Sequence, residues 1–414
     1  MRKYLAVLAL LAAAFTALGQ APAPAAESPF ASIQEHIDDL SRITGLKPLR
    51  KVQCDTIGRA ELRKFLEQRV REEIKPEELR IEELALKKLG LVPPDFHLAA
   101  TMVDLMTEQA EAFYDYRRKK LFLVEADPTP MQQPALFHEL AHALADQHFQ
   151  LEKFIRRGKT DDSSLARLAV MEGQATWLMY EWMAGKAGQS LRKQPGLAHM
   201  LLSRSDSLMG QYPILGTVPL YLRASLLFPY TEGLRFQQAV VAKLGEAGFT
   251  EVFRNPPANS QQIMHPEKYF AGVTAVEPKL PAVPDAGRYR EIADATVGEF
   301  DHAILLEQYG DKDTARPLAE HWRGGKIRLF EDKKDKRVVL AYASLWDSEE
   351  NARKVFAGYK RVLEGKWKKV SFIQNSGSRL EGVADDGVFV TELDGRRVIS
   401  VEGLPIAARS AKLN

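Results

Sequence analysis

"HELAHALADQHF", residues 138–149, sets three histidines and two carboxylates among apolar, helix-favouring residues. On an α-helix His138 and His142 lie about 40° apart on one face and about 6 Å apart along the axis, so both imidazoles can reach one ion. Glu139 sits beside the first histidine, where its carboxylate can approach a water at the open position of such an ion and act as general base. The flanking Leu136, Phe137, Leu140, Ala141 and Leu144 bury this helix, and a buried histidine pair needs a partner. The stretch therefore predicts a buried helix carrying a metal site that needs a third ligand.

The partner is either His148 or Glu172. His148 falls six residues after His142, the spacing of the third histidine in HExxHxxGxxH enzymes. That arrangement needs a glycine to stop the helix, and Ala145, a strong helix former, stands there instead. If the helix continues, His148 is rotated about 240° from His142 and faces away. Glu172, in "AVMEGQATWLMY" (169–180), lies on the next predicted helix. The two helices are expected over Gln132–Arg156 and Ser163–Ala187, and Gly173 would let them approach closely enough to share an ion.

The rest of the chain bounds this reading. With 414 residues, 45% hydrophobic and 27% charged, the sequence suits two or three folded domains, and a formal charge of +2 gives no global field for nucleic acid or an acidic membrane. Residues 1–19 resemble a secretory signal peptide: Arg2 and Lys3, an apolar run from Leu5 to Leu18, and Ala17-Leu18-Gly19 as a small-residue cleavage site. A secreted or periplasmic protein is expected. No later window supplies the roughly 18 apolar residues of a membrane span. The single cysteine, Cys54, excludes an internal disulfide and is expected as a buried structural thiol.

From Phe30 to Leu91 the pattern is helical with solvated charged faces, or a segment covering the active site as a propeptide would. A helix follows from about Leu98 to Ala112, then a β-hairpin in "FYDYRRKKLFLVE", Phe113 to Tyr116 and Leu121 to Glu125. This hairpin is a candidate edge strand for an extended peptide. More helices are expected over 195–250. The Pro-rich "EPKLPAVPDAG" (277–287) reads as a linker between a domain at 30–276 and a C-terminal α+β domain at 288–408. In that second domain a helix at 298–309, strands at "KIRLFED", "RVVLAYASLW", "DGVFVTEL" and "RRVISVEG", and a helix from Ser348 to Leu363 are expected, with Trp322, Trp346 and Trp367 as core.

"HELAHALAD" resembles the active helix of thermolysin-like gluzincin zinc metallopeptidases. HELxHALxDQHF with a downstream EGxA is similar to a group of uncharacterised bacterial secreted enzymes of that clan. The likeness is strongest over the helix pair and extends through "GLKPL", "FYDYRRKKLFLV" and "HPEKY" over most of residues 45–270. It implies a mainly helical zinc peptidase domain with a small hairpin or sheet, Zn2+ held by His138, His142 and Glu172, and Glu139 acting on the water. Where thermolysin-like enzymes carry an Asp one turn after the zinc glutamate, this chain has Thr176. Support for the ligands is therefore expected from Thr176 itself or from Asp146, one turn beyond His142, which could take its imidazole N–H.

Amide hydrolysis also needs a donor for the developing oxyanion. His265 in "NSQQIMHPEKY" is the first candidate and Tyr230 in "FPYTEG" the second. The expected function is peptide-bond hydrolysis in a peptide or protein substrate. The alternative is a noncatalytic, zinc-stabilised binding or scaffolding protein of the envelope; Glu139 speaks against it, because a structural site closes its fourth position with a ligand.

Overall fold

Local chemistry sets the ends of the helices that matter. In the computed structural model, which describes residues 30–125, 130–198, 200 and 213–406, Thr160 and Ser163 form a reciprocal capping box at the start of the longest helix. The expected signal segment, residues 1–19, lies outside the described residues. The first part of the chain contains α1 (Ile33–Thr44), β1 (Gln53–Ile57), α2 (Arg59–Glu73), α3 (Pro76–Leu89), α4 (Leu98–Gln109), β2 (Ala112–Asp115), β3 (Lys120–Val124), α5 (Gln132–Phe149), α6 (Leu151–Arg156), α7 (Asp161–Lys186), α8 (Leu220–Leu244) and α9 (Gly248–Arg254).

The helix expected to run unbroken to Arg156 is divided. α5 passes through Ala145 and His148 without interruption, and the chain turns only at Gln150, which takes a left-handed φ of 53°. Asp146 causes the restart: its carboxylate accepts the Leu151 N–H at 3.0 Å, replacing the carbonyl that helix continuation would use. Every residue from Pro134 to Asp146 is buried.

The hairpin forms within a residue of its expected place, with Phe113 opposite Phe122 and Phe65 stacked on Phe113. One strand contradicts the helical reading of 30–91. β1, "QCDTI", pairs in parallel with β3 from Gln53↔Lys120 to Ile57↔Val124, giving a three-stranded sheet ordered β1-β3-β2. Five residues with mixed polarity carry too little periodicity to announce a strand, and the partner that makes it one lies far along the chain. Cys54 is half-buried in this strand, and burial pushes its thiol up to about 11.

The C-terminal part is a seven-stranded antiparallel sheet. It contains β4 (Tyr289–Thr296), α10 (Glu299–Gln308), α11 (Lys312–Ala319), β5 (Trp322–Asp332), β6 (Val338–Trp346), α12 (Glu349–Lys366), β7 (Val370–Asn375), β8 (Arg379–Ala384), β9 (Gly387–Asp394) and β10 (Arg397–Leu404). The strand order is β4-β5-β6-β10-β9-β8-β7. The chain as a whole is α+β. Trp322 and Trp346 are fully buried, and Trp367 packs against Phe389. Among the described residues no helix is long and apolar enough to cross a membrane.

The Pro-rich stretch read as a linker is strapped to this sheet rather than free. The Val276 N–H donates to Arg323 O, Glu277 pairs with Lys326, and Leu280 and Val283 pack on the cluster around Val339 and Ala341. Arg80–Glu331, Lys88–Asp386 and the Tyr309 hydroxyl on Gly90 O add further ties between the two parts. One large apolar cluster runs from Ile37 to Val398 across both parts, with smaller clusters around Val339 and around Ala135 beside it. Limited proteolysis of the native chain should therefore leave 276–288 uncut under conditions that nick exposed loop tips. Rapid release of two fragments at this stretch would show that the strap detaches in solution.

Candidate metal centre

Helical period and burial bring three side chains to one point. His138 Nε2 and His142 Nε2 stand 3.0 Å apart, and Glu172 Oε2, from α7, is 3.3 Å from the first and 3.2 Å from the second. Each residue is at most 1% exposed. Ligand atoms around a tetrahedral ion at about 2.1 Å would be roughly 3.4 Å apart, so the donor set is spaced for one ion to bridge. Burial lowers the His138 imidazole below its ordinary value, with His142 acting in the same direction and Glu172 against it. Burial alone would raise the Glu172 carboxyl, but His142 and His138 outweigh it and hold it at about 2. A neutral imidazole and an ionised carboxylate are the forms that bind a metal.

Glu139 shares the helix but not the cluster. Its Oε2 accepts the Tyr114 backbone N–H at 2.8 Å, on the free edge of β2, which fixes the carboxylate against the hairpin. Burial, and next the Glu172 charge, push its carboxyl well above the ordinary range, and the Tyr114 N–H only partly offsets them. Among the described residues Glu139 Oε1, His138 Nδ1 and the Tyr116 hydroxyl are buried with no hydrogen-bond partner. Such atoms are rare in folded proteins, and three around one triad fit a centre completed by an ion and solvent.

Tyr230 reaches this centre through a glycine contact. Gly173 of α7 meets Gly233 of α8 so closely that a Cβ on Gly173 would lie 2.2 Å from the Gly233 carbonyl carbon. The close approach expected of Gly173 is thus toward α8 and not across the metal to α5. It carries Tyr230, three residues before Gly233, onto the triad: its ring stacks on His138 with centroids 6.2 Å apart. Burial, followed by the charges of Glu172 and Glu139, raises the Tyr230 phenol well above its ordinary value and keeps it protonated. Gly173→Ala should lower stability by about 1–3 kcal/mol or more through overpacking against backbone. Gly185→Ala, in the same helix with open space around its Cβ position, should be neutral or slightly stabilising. Denaturant unfolding of the two variants measures the difference, and equal stabilities would refute the close crossing.

The remaining candidates lie elsewhere. Asp146 does not take an N–H from His142; its carboxylate accepts the Tyr114 hydroxyl at 3.0 Å, Lys119 Nζ at 2.8 Å and the Leu151 N–H, clamping the hairpin to the end of α5. Thr176 is buried, but among the described residues its hydroxyl has no partner, and it does not support Glu172. His148 points away and bonds Lys47 O at 2.8 Å, while Gln147 holds the Leu49 N–H at 2.6 Å, so "DQH" clasps the 47–50 loop. His265 pairs with Glu299 at 2.6 Å, in a segment anchored by Ser260 N on Asp162. Asp162 precedes Glu172 by ten residues, roughly 15 Å of helix rise, which sets His265 apart from the triad.

Tyr116, which sequence reasoning passed over, is fully buried with its ring edge-on to His142 at 6.2 Å. Burial raises its phenol, with Glu172 and Glu139 adding to the effect. The alternation in "FYDY" (113–116) predicts a strand and a substrate edge, and nothing in it marks Tyr116 as the residue that meets His142. A family model described as a domain of unknown function (DUF8575) matches residues 287–412, the part of the chain that carries the seven-stranded sheet. No curated protein and no solved structure matches the chain.

Proposed function

We propose that the protein is a zinc-dependent metallopeptidase acting outside the cytoplasm on peptide or protein substrates. The observation that carries this reading is the closure of His138, His142 and Glu172 onto one point, with Glu139 beside them held by a β-strand edge and not by the triad. Two nitrogens and one carboxylate oxygen are a donor set suited to zinc. A zinc ion held there would supply Lewis acidity and lower the pKa of a water, so that losing a proton to a nearby base makes it nucleophilic enough to attack an amide.

The chain's own groups would do the rest. Glu139, oriented by the Tyr114 N–H, takes a proton from the attacking water and returns it to the leaving amine. Tyr230, kept protonated, is the better placed of the two oxyanion candidates, because its ring already lies on the triad. The hairpin's part is to hold the base: β2 is buried and gives its outward Tyr114 N–H to the Glu139 carboxylate, so it is not free to pair with an extended substrate there.

A noncatalytic reading, a metal-stabilised binding or scaffolding module, draws on the near-complete burial of the three ligands. Metal analysis and a peptide-library digest of the purified chain separate the two. The expected result is about one zinc per chain, with cleavage lost to a chelator and restored by zinc. Bound zinc with no peptide cleaved in a broad library would favour the module.

A further inference from the structure

A second cleft, of about 450 Å3, opens where α5 gives way to α6. His148, Phe149, Gln150, Arg157, Phe253 and Arg254 are among its lining residues, and no carboxylate is. Arg157 and Arg254 are exposed, and among the described residues neither forms an ion pair. Arg167 stands behind the wall, 4.8 Å over the Phe154 ring, with one N–H on Phe154 O at 3.1 Å and its Nε buried without a partner among the described residues. Burial, and then the charge of Arg157, lower the Arg167 guanidinium below its ordinary value, the mark of positive charge without compensation.

Helix ends do not cancel this charge. α5, α6 and α9 all finish at the cleft, and each C-terminus contributes at most about half a negative charge. Three guanidinium groups against three such ends leave a surplus of roughly one and a half positive charges. The floor is rigid and apolar: Phe149 stacks on Phe253 with centroids 4.3 Å apart, and Phe154 packs edge-on to Phe253 at 5.0 Å. Gln150, at the rim, holds the left-handed conformation that a side chain normally avoids.

We propose that this cleft binds a small oxyanion, a carboxylate or phosphate group carried on an apolar or aromatic body. Exposed guanidinium forks match either group, and the phenylalanine floor takes the body. No residue of the metal triad lines the cleft, so the proposal stands or falls independently of the peptidase reading.

Calorimetry on the full chain at low salt, with inorganic phosphate, phenyl phosphate and benzoate as probes, tests it. Phenyl phosphate should bind with a dissociation constant on the order of 0.1–1 mM, and inorganic phosphate more weakly. Preference for phenyl phosphate over benzoate would identify a phosphate ligand, and the reverse a carboxylate. The double variant Arg157→Gln/Arg254→Gln should weaken binding about tenfold or more. It should unfold at the same temperature as wild type or higher, because it relieves repulsion on Arg167. Arg42→Gln/Arg235→Gln, which removes the same charge from two paired arginines, should bind as wild type does. Glu139→Gln should also bind normally, whatever its peptidase activity. Absence of binding for all three probes up to about 10 mM, or equal weakening in both double variants, would overturn the site.

Discussion

On the proposed mechanism Glu139→Gln should lower kcat/KM for peptide hydrolysis by about 10⁴-fold, the upper end of what a general acid–base contributes, because one carboxylate would both remove and return the proton. Metal content should stay near one per chain. The geometry allows this separation: Glu139 Oε2 is fixed by the Tyr114 N–H, and the ligand cluster closes without it. A glutamine carbonyl can accept the same N–H, so the hairpin contact survives while the basicity is lost. The wild-type pH profile gives a second check. Burial raises the Glu139 carboxyl well above its ordinary value, and a base works only when deprotonated. A bound cation opposes this shift by favouring the carboxylate, so the acid limb of kcat/KM should lie below the pH at which the carboxyl titrates in the metal-free chain, with activity lost as pH drops through it. A variant that cleaves as fast as wild type would remove Glu139 from the chemistry. One that loses its metal would place it among the ligands.

What could be read from the sequence depended on how far apart the interacting residues lie. The His138–His142 pair follows from helical period alone, and Ala145 in place of glycine already argues that α5 continues to His148. Glu172 stands out because a carboxylate in an apolar helix needs a reason to be buried. Asp146 shows where this reasoning stops. One turn from His142, it looks like an imidazole partner, but Tyr114 and Lys119 claim it from the hairpin, 32 and 27 residues away in the chain. Gly173 was legible as a point of close approach, but its partner Gly233 lies on a helix that shares no local pattern with it. β4, β7 and β8 were missed for a related reason. Exposed positions along β7 and charged residues along β4 hide the alternation, and only pairing with neighbours makes them strands. The Pro-rich strap looked like a linker by composition, while its buried Val283 and its bond to Arg323 come from the sheet.

The sharpest contrast expected from mutation is between the two residues that could complete the metal set. Glu172→Ala should weaken metal retention, measured by competition with a chromophoric chelator, by more than the 10–100-fold that loss of an outer-sphere partner causes. It deletes the one anionic donor and leaves two imidazole nitrogens facing each other in a buried space. Glu172→Gln, close in shape, should keep the fold and still bind poorly, which separates loss of charge from collapse of the site. His148→Ala should keep metal content and activity within a few-fold of wild type. It loses a single hydrogen bond to Lys47 O, and a net stability change of about 1 kcal/mol is expected. The reverse ranking would require α5 to break before His148 in the metal-bound protein, and the chain would then belong with the three-histidine enzymes. Against that break stand the helical run through Ala145 and the Gln147 and His148 bonds that tie this turn to the 47–50 loop. Opening the turn to swing His148 inward would forfeit those bonds and expose the apolar face of α5, with nothing on the far side to offset the loss.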